Sequence, residues 1–263
     1  MDYIKQNKQA WEEAFDHRRP DWGEENYKRL RNEQLPFFCA DMVAELKAID
    51  FEDKTVAQFC CNNGRELLSL MQLGAQRGIG FDIAENILQQ ARETAIKAGI
   101  TNYEFVNANI LDIDGRYHNS FDFVLFTIGA ITWFQDLKPL FKKASDCLKP
   151  NGIMLIHDFH PFMNMLPMPG EPDFKSNQLD KITYPYFRNE PWIENKGIGY
   201  MSEKYESKTF TSFSHTLSDI INAILFSKMS MMKLNEYDYD VGLTNIYDNK
   251  GYPLSFILLA KKS

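Results

Sequence analysis

The stretch Val56-Ala57-Gln58-Phe59-Cys60-Cys61-Asn62-Asn63-Gly64-Arg65-Glu66, followed by Gly78-Ile79-Gly80-Phe81-Asp82-Ile83, constrains this chain most. It reads as a short apolar strand, a tight turn of small residues, a helix from Glu66 to Leu73, and a second strand ending in an acid. The step from Gly64 to Asp82 is close to the roughly 20 residues that separate turn and acid in a nucleotide-binding βαβ unit. Such a turn lets backbone N–H groups approach a ligand closely. The carboxylate is placed to accept hydrogen bonds from ribose hydroxyls. Gly64 alone stands where a dinucleotide fingerprint carries several glycines.

The segments downstream continue the alternation. After Val56–Cys60 and Gln76–Phe81, residues Glu85–Ala98 read as a helix stopped by Gly99. Strands are expected at Tyr103–Asn107, Phe121–Thr127 and Ile153–His157, with a helix over Asp136–Leu148 ended by Lys149-Pro150-Asn151-Gly152. Strands alternating with helices imply a parallel α/β sheet with helices on both faces. Ahead of this unit, residues 2 to about 19 and 24 to about 48 read as helices, the second interrupted near Pro36. From His160 to about Tyr200 the periodicity fails, and six prolines stand among scattered aromatic residues. A segment this long without regular structure inside a compact domain is usually functional. A strand at Lys208–Phe213, a helix at Leu217–Phe226 capped by Ser214 or Thr216, and strands at Met231–Asp240 and Leu254–Lys261 close the chain.

Composition narrows the partners. The 263 residues fit one domain with an insertion, and the net charge of −7 without basic runs disfavours a nucleic-acid partner. No stretch approaches the ~20 apolar residues of a membrane span, and the polar start lacks a signal-peptide core. Cys39, Cys60, Cys61 and Cys147 show neither metal nor disulfide spacing, so a reduced, cytoplasmic protein is expected. His157, Asp158, His160 and His215 match no zinc pattern, and no metal is expected.

Taken together these elements resemble the class I S-adenosylmethionine-dependent methyltransferases. The turn Gln58–Gly64 stands where that family carries an acid and a glycine-rich loop, and Asp82 ends its second strand. Asn107-Ala108-Asn109-Ile110-Leu111-Asp112 resembles its adenine-contacting segment, Phe121–Phe126 its fourth strand, and Leu148-Lys149-Pro150-Asn151-Gly152-Ile153 the turn before its fifth. The tail Leu217–Lys261 resembles its closing helix and antiparallel strand pair. The resemblance covers residues 50 to 160 best. It implies a Rossmann-like, doubly wound, mostly parallel seven-stranded sheet with an antiparallel last strand. The chain then divides into an N-terminal helical segment (1–50), a cofactor-binding core (51–159), a lid-like insertion (160–205) and a C-terminal part (206–263). Gln58, Cys60 and Asn62 depart from the family's acid and first two glycines. Non-glycine residues suit such a turn when φ stays negative, and Asn tolerates positive φ better than most.

The resemblance and the rule that ligands sit beyond the carboxyl ends of parallel strands give candidate sites. The cofactor residues are Phe59, Cys60, Asn62, Gly64, Asp82, Ile83, Asn109, Ile110, Thr127, Ile128 and Gly129. Asp82 would hold the ribose, or alternatively cap the next helix. Ile83 and Ile110 would flank the adenine, or alternatively belong to the core. Asn109 would bond its exocyclic amine, and backbone groups of Phe59 and Thr127 would meet the methionine part. His157, Asp158 and His160 are candidate bases. Trp133, Tyr184, Tyr186, Phe187 and Trp192 are candidate walls of an acceptor pocket. The Asn/Asp-Pro-Pro-Tyr/Phe signature of amino-methylating DNA enzymes is absent after the fourth strand, where Thr127-Ile128-Gly129-Ala130 stands. The expected activity is methyl transfer from S-adenosylmethionine to a small-molecule acceptor, in a monomer or homodimer. Two alternatives stand beside it. One is an NAD-binding oxidoreductase, which predicts more glycines in the first turn and a parallel sixth strand. The other is a non-catalytic interaction module on the same fold.

Overall fold

The computed structural model describes residues 2–263. Three helices open the chain: α1 (Tyr3–Asp16), α2 (Asn26–Asn32) and α3 (Ala40–Lys47). The alternating part follows as β1 (Thr55–Phe59), α4 (Arg65–Leu70), β2 (Arg77–Asp82), α5 (Glu85–Ala98), β3 (Tyr103–Asn107), β4 (Phe121–Phe126), α6 (Leu137–Cys147) and β5 (Leu148–Phe159). A small ribbon of β6 (Trp192–Glu194) and β7 (Phe210–Ser212) comes next. The chain ends in α7 (Leu217–Phe226), β8 (Met229–Tyr237) and β9 (Ser255–Lys262).

Local chemistry accounts for the element ends. α5 buries Ile87, Leu88, Ala91, Thr94 and Ala95, an i, i+1, i+4, i+7, i+8 stripe. It stops at Gly99, whose φ of +76° suits glycine. α7 begins with a capping box: Asp219 N–H donates to Thr216 Oγ1 at 3.1 Å, and Thr216 N–H donates to Asp219 Oδ2 at 2.9 Å. Of the two expected caps, Thr216 fills the role.

The large sheet has the order β3-β2-β1-β4-β5-β9-β8. β1 to β5 run parallel, while β9 pairs antiparallel with both β5 and β8. The antiparallel strand is therefore inserted next to the edge, as the resemblance implied, and the parallel sixth strand of the oxidoreductase alternative is not there. From Phe123 on, past a register shift after Phe121, successive residues of β4 alternate between two cores. Phe121, Val124 and Phe126 face one with α6 and α7. Phe123 and Leu125 face the other with α3, α4 and α5. Both faces are covered, which is why β4 shows a continuous apolar run.

α1 and the ribbon pack at the strand ends. Asn7, buried on α1, pairs with the backbone of Thr211 in β7. Its Nδ2 donates to Thr211 O at 2.8 Å and its Oδ1 accepts from Thr211 N–H at 2.8 Å. Ala10, Ala14 and Phe15 of α1 meet Met201, Phe210, and Ala84 and Ile87 at the start of α5. Among the described residues no helix is long and apolar enough to cross a membrane.

Candidate cofactor and acceptor site

Parallel strands bring the turns after β1, β2, β3, β4 and β5 to one edge of the sheet. The order reverses between β1 and β4, and a crevice outside the carboxyl ends at such a switch point is the usual ligand position.

The turn after β1 keeps a glycine-type backbone with few glycines. Cys60, Asn62 and Gly64 have φ of +55°, +50° and +70°. Cys60 therefore departs from the condition that φ stay negative at a non-glycine position, while Asn62 takes the positive φ that asparagine tolerates. An asparagine accepts this region readily, and a cysteine held there is strained. Gly64 has no substitute, because a Cβ there would lie 2.4 Å from Phe105 Cζ. Gln58, fully buried in place of the family's acid, ties the site's parts together. Its Nε2 donates to Thr127 Oγ1 at 2.9 Å, and its Oε1 accepts from Leu67 N–H at 2.9 Å. It thus joins β1, the end of β4 and the first turn of α4.

Asp82 is half-buried at the end of β2. Its Oδ2 accepts from Asn62 N–H at 2.8 Å and its Oδ1 from Ala84 N–H at 3.0 Å. The carboxylate therefore fixes the β1 turn and the entry to α5 together. A carboxylate has about four acceptor positions, so each oxygen keeps capacity for a hydroxyl. Burial raises its pKa, and the backbone N–H groups of Ala84, Asn62 and Ile83 counteract this.

The remaining candidates divide by direction. Phe59 is fully buried, so only its backbone faces the crevice. Cys60 is half-buried and both it and Cys61 are free thiols, their pKa values pushed well up by burial. Ile83 is half-buried, whereas Ile110 is 3% exposed inside the core. Asn109 commits its amide to its own turn, accepting from Leu111 N–H at 3.2 Å and donating to Asp112 Oδ2 at 2.8 Å. Thr127 is buried, Ile128 is exposed, and Gly129 has φ of +79°.

The three candidate bases do not converge. His157 and Asp158 are neighbours in β5 and point to opposite faces. His157 Nε2 lies 3.9 Å from Cys39 Sγ, and burial pushes its pKa down to about 4. Cys39 Sγ in turn lies 3.7 Å from the Tyr239 hydroxyl, which donates to Asp41 at 2.6 Å. His160 Nδ1 accepts from Phe162 N–H at 3.1 Å, capping a short helical turn, and its Nε2 lies 2.8 Å from Glu236 Oε1. These partners hold both rings away from the β1–β4 crevice. Asp158 is the member that borders it: its Oδ1 accepts from Gly129 N–H at 2.6 Å.

The aromatic candidates also separate. Trp133 packs edge-on against Trp11, ring centroids 5.3 Å apart, and against Phe210 at 6.0 Å. It belongs to the layer where α1 and the ribbon meet the loop after β4, joined by Phe213 N–H to Thr132 O at 2.8 Å. Tyr184 and Trp192 pack on each other, the Tyr186 hydroxyl accepts from Leu217 N–H at 3.0 Å, and Trp192 Nε1 donates to Ser214 Oγ at 2.8 Å. Phe187 is 78% exposed. These four bind the insertion to itself and to α7. Two surface grooves, of about 320 Å³ beside His17 and Tyr205 and about 540 Å³ beside Arg92 and Phe105, include none of the strand-end residues.

Sequence reasoning missed two contributors. Gln58 figured only as a departure from the family pattern. Tyr200 was not singled out, yet Asn62 Nδ2 donates to its hydroxyl at 3.4 Å. Tyr200 is 51% exposed as a whole, and desolvation at its hydroxyl raises its pKa. Neither has a local sequence signal, because each partner comes from a distant part of the chain.

Residues 50–223 match a family model described as a methyltransferase domain. The chain belongs to this methyltransferase family. Membership makes S-adenosylmethionine its cofactor. An uncharacterized protein of Haemophilus influenzae is 22% identical over 191 residues, 71% of each chain. A ribosomal protein L11 methyltransferase of Vibrio campbellii is 37% identical over 57 residues, 22% of this chain and 19% of that one. Among solved structures, a Listeria monocytogenes protein classed among the S-adenosylmethionine-dependent methyltransferases superposes with TM-score 0.64 at 19% identity, covering 84% of this chain and 97% of that one. One from Mesorhizobium loti gives 0.57 at 16% identity, covering 85% and 98%.

Proposed function

We propose that this protein transfers a methyl group from S-adenosylmethionine to a small-molecule acceptor held between the carboxyl ends of β4 and β5 and the covering insertion. One observation carries the cofactor half of this reading: residues 60, 62 and 64 keep left-handed backbone just after β1, and Asn62 N–H ties that turn to Asp82. Bound there, the cofactor supplies an electrophilic methyl on a sulfonium. The turn's N–H groups and the backbone of Phe59 and Thr127 receive its amino-acid part. Asp82 accepts the ribose hydroxyls with its remaining lone pairs. Ile83 would lie along the base, and Asn109 would accept from its exocyclic amine with Oδ1, the oxygen that also accepts from Leu111 N–H.

The protein's contribution is mainly alignment, since proximity supplies most of the rate in such a displacement. α1, the 198–202 segment and the ribbon cover the crevice and exclude water. Arg19 N–H donates to Met201 O at 3.0 Å, which pins that cover to the N-terminal segment. An acidic chain with no basic run favours a small acceptor over nucleic acid. The test is calorimetric titration with S-adenosylmethionine, S-adenosylhomocysteine and NAD, followed by methyl incorporation from fractionated metabolite extracts. Binding of the first two with no NAD binding is expected, and labelled product in a low-molecular-weight fraction. NAD binding, or cofactor binding without any methyl incorporation, would return the two alternatives.

A further inference from the structure

The ends of β4 and β5 hold a buried acid whose bonding is half made. Asp158 is 2% exposed. Its Oδ1 accepts from Gly129 N–H at 2.6 Å and from Phe159 N–H at 2.8 Å. Its Oδ2 is equally buried and has no partner among the described residues. Burial raises its pKa to about 7, against the pull of the Gly129, Phe159 and Ile131 N–H groups, and no charged side chain contributes. Buried polar atoms are seldom left without a partner, so this oxygen wants a donor from outside the chain. The bond that ties Asp158 to the loop after β4 through Gly129 uses Oδ1 and leaves Oδ2 over.

We propose that Asp158 is the acceptor-side amine site, its free Oδ2 receiving an N–H of the small amine to be methylated. The inference rests on the methyltransferase reading above. Strand order supports the side. Asp82 lies on β2, the turn on β1, Gly129 on β4 and Asp158 on β5. With the ribose at Asp82, the reacting end falls toward β1 and β4, and Asp158 stands one strand beyond. The chemistry supports an amine. A carboxylate attracts an ammonium, repels a thiolate and is too weak a base for an alkyl alcohol. One proton passes from the ammonium nitrogen to Oδ2, and the nitrogen keeps the electron pair with which it can attack. His157 on the opposite face and His160 against Glu236 take no part.

The test needs no knowledge of the acceptor. Three probes are titrated into the wild type and Asp158→Asn: S-adenosylhomocysteine; sinefungin, which carries a primary amine where the cofactor has its sulfonium methyl; and 5′-methylthioadenosine, which lacks the amino-acid part. The wild type is expected to bind sinefungin at least tenfold tighter than S-adenosylhomocysteine. Asp158→Asn is expected to abolish that preference while changing the other two affinities less than threefold. In the wild type the preference should also shrink between pH 8 and pH 5 as the carboxylate is protonated, a readout independent of how the variant folds. If Asp158→Asn weakens S-adenosylhomocysteine but not 5′-methylthioadenosine, the carboxylate holds the cofactor's own ammonium and the inference is wrong. An unchanged sinefungin preference in a folded variant, or none in the wild type, overturns it as well. If no probe binds the wild type, the methyltransferase reading falls first and takes the inference with it.

Discussion

Gly64→Ala separates two reasons for a glycine in the cofactor turn, with Gly99→Ala as its control. Both glycines have nearly the same φ, +70° and +76°. A Cβ at Gly99 would meet nothing within 4 Å, whereas at Gly64 it would lie 2.4 and 2.5 Å from Phe105 Cζ and Cε1 and 3.1 Å from Ala91 Cβ. Left-handed backbone costs an alanine about 1–2 kcal/mol, partly offset by about 0.4–1 kcal/mol from the stiffer unfolded chain. Gly99→Ala should therefore lose about 1 kcal/mol. At Gly64 the overpacking adds about 1–3 kcal/mol, because Phe105 of β3 is buried in the core shared with α4 and α5 and must shift to make room. The expected loss is about 2–4 kcal/mol in urea unfolding at pH 7.5, with weaker S-adenosylhomocysteine binding as the turn is pushed toward the crevice. Phe105→Leu in the Gly64→Ala background should recover part of the added loss. Equal destabilisation by the two single variants would refute the argument that Phe105 dictates the glycine.

Five further outcomes follow from the same geometry. Asp82→Ala should weaken S-adenosylhomocysteine binding at least tenfold, since each charged hydrogen bond is worth about 1.5–3 kcal/mol, and unchanged affinity in calorimetry would remove Asp82 from the site. Cys60 and Cys61, their thiols held well above the ordinary range by burial, should resist a maleimide probe in the native protein, as peptide mapping would show. The pKa of His157 is depressed to about 4 in the fold, so its contribution is present above its ordinary value of 6.5 and is lost as pH falls from 6.5 toward 4. That is worth roughly 3 kcal/mol, and His157→Phe should show less acid sensitivity in a pH series of urea midpoints. Asp158 runs the other way: its raised pKa makes it a burden above pH 7, so Asp158→Asn should be as stable as the wild type or more so at pH 8. Asn7→Ala should leave two buried backbone groups of Thr211 without partners, at about 1–3 kcal/mol each, and free the ribbon for faster proteolysis near residues 195–210.

Much of the fold was legible in the one-dimensional pattern. α5, β3 and α7 begin and end where apolar periodicity, Gly99 and Thr216 place them, because those signals act within a few residues. The parallel core and its antiparallel closing strand followed from the order of elements. The strand-end acid was legible too, since its distance from Gly64 reflects a βαβ unit of fixed geometry. The direction of a side chain at a strand end was not. Period-two alternation puts His157 and Asp158 on opposite faces, but only the packing of α3 on one side and the β4 loop on the other decides which of them borders the crevice. Cys60 reads as an obstacle to a glycine-type turn, and only the bonds from Asn62 to Asp82 and from Gln58 to Thr127 and Leu67 show what holds it there. Tyr200 meets Asn62 across 138 residues of chain, in a segment whose prolines erase any period. Periodicity is written by one element burying its own face. The contents of the crevice are set by which distant elements meet, and that is a property of the folded chain alone.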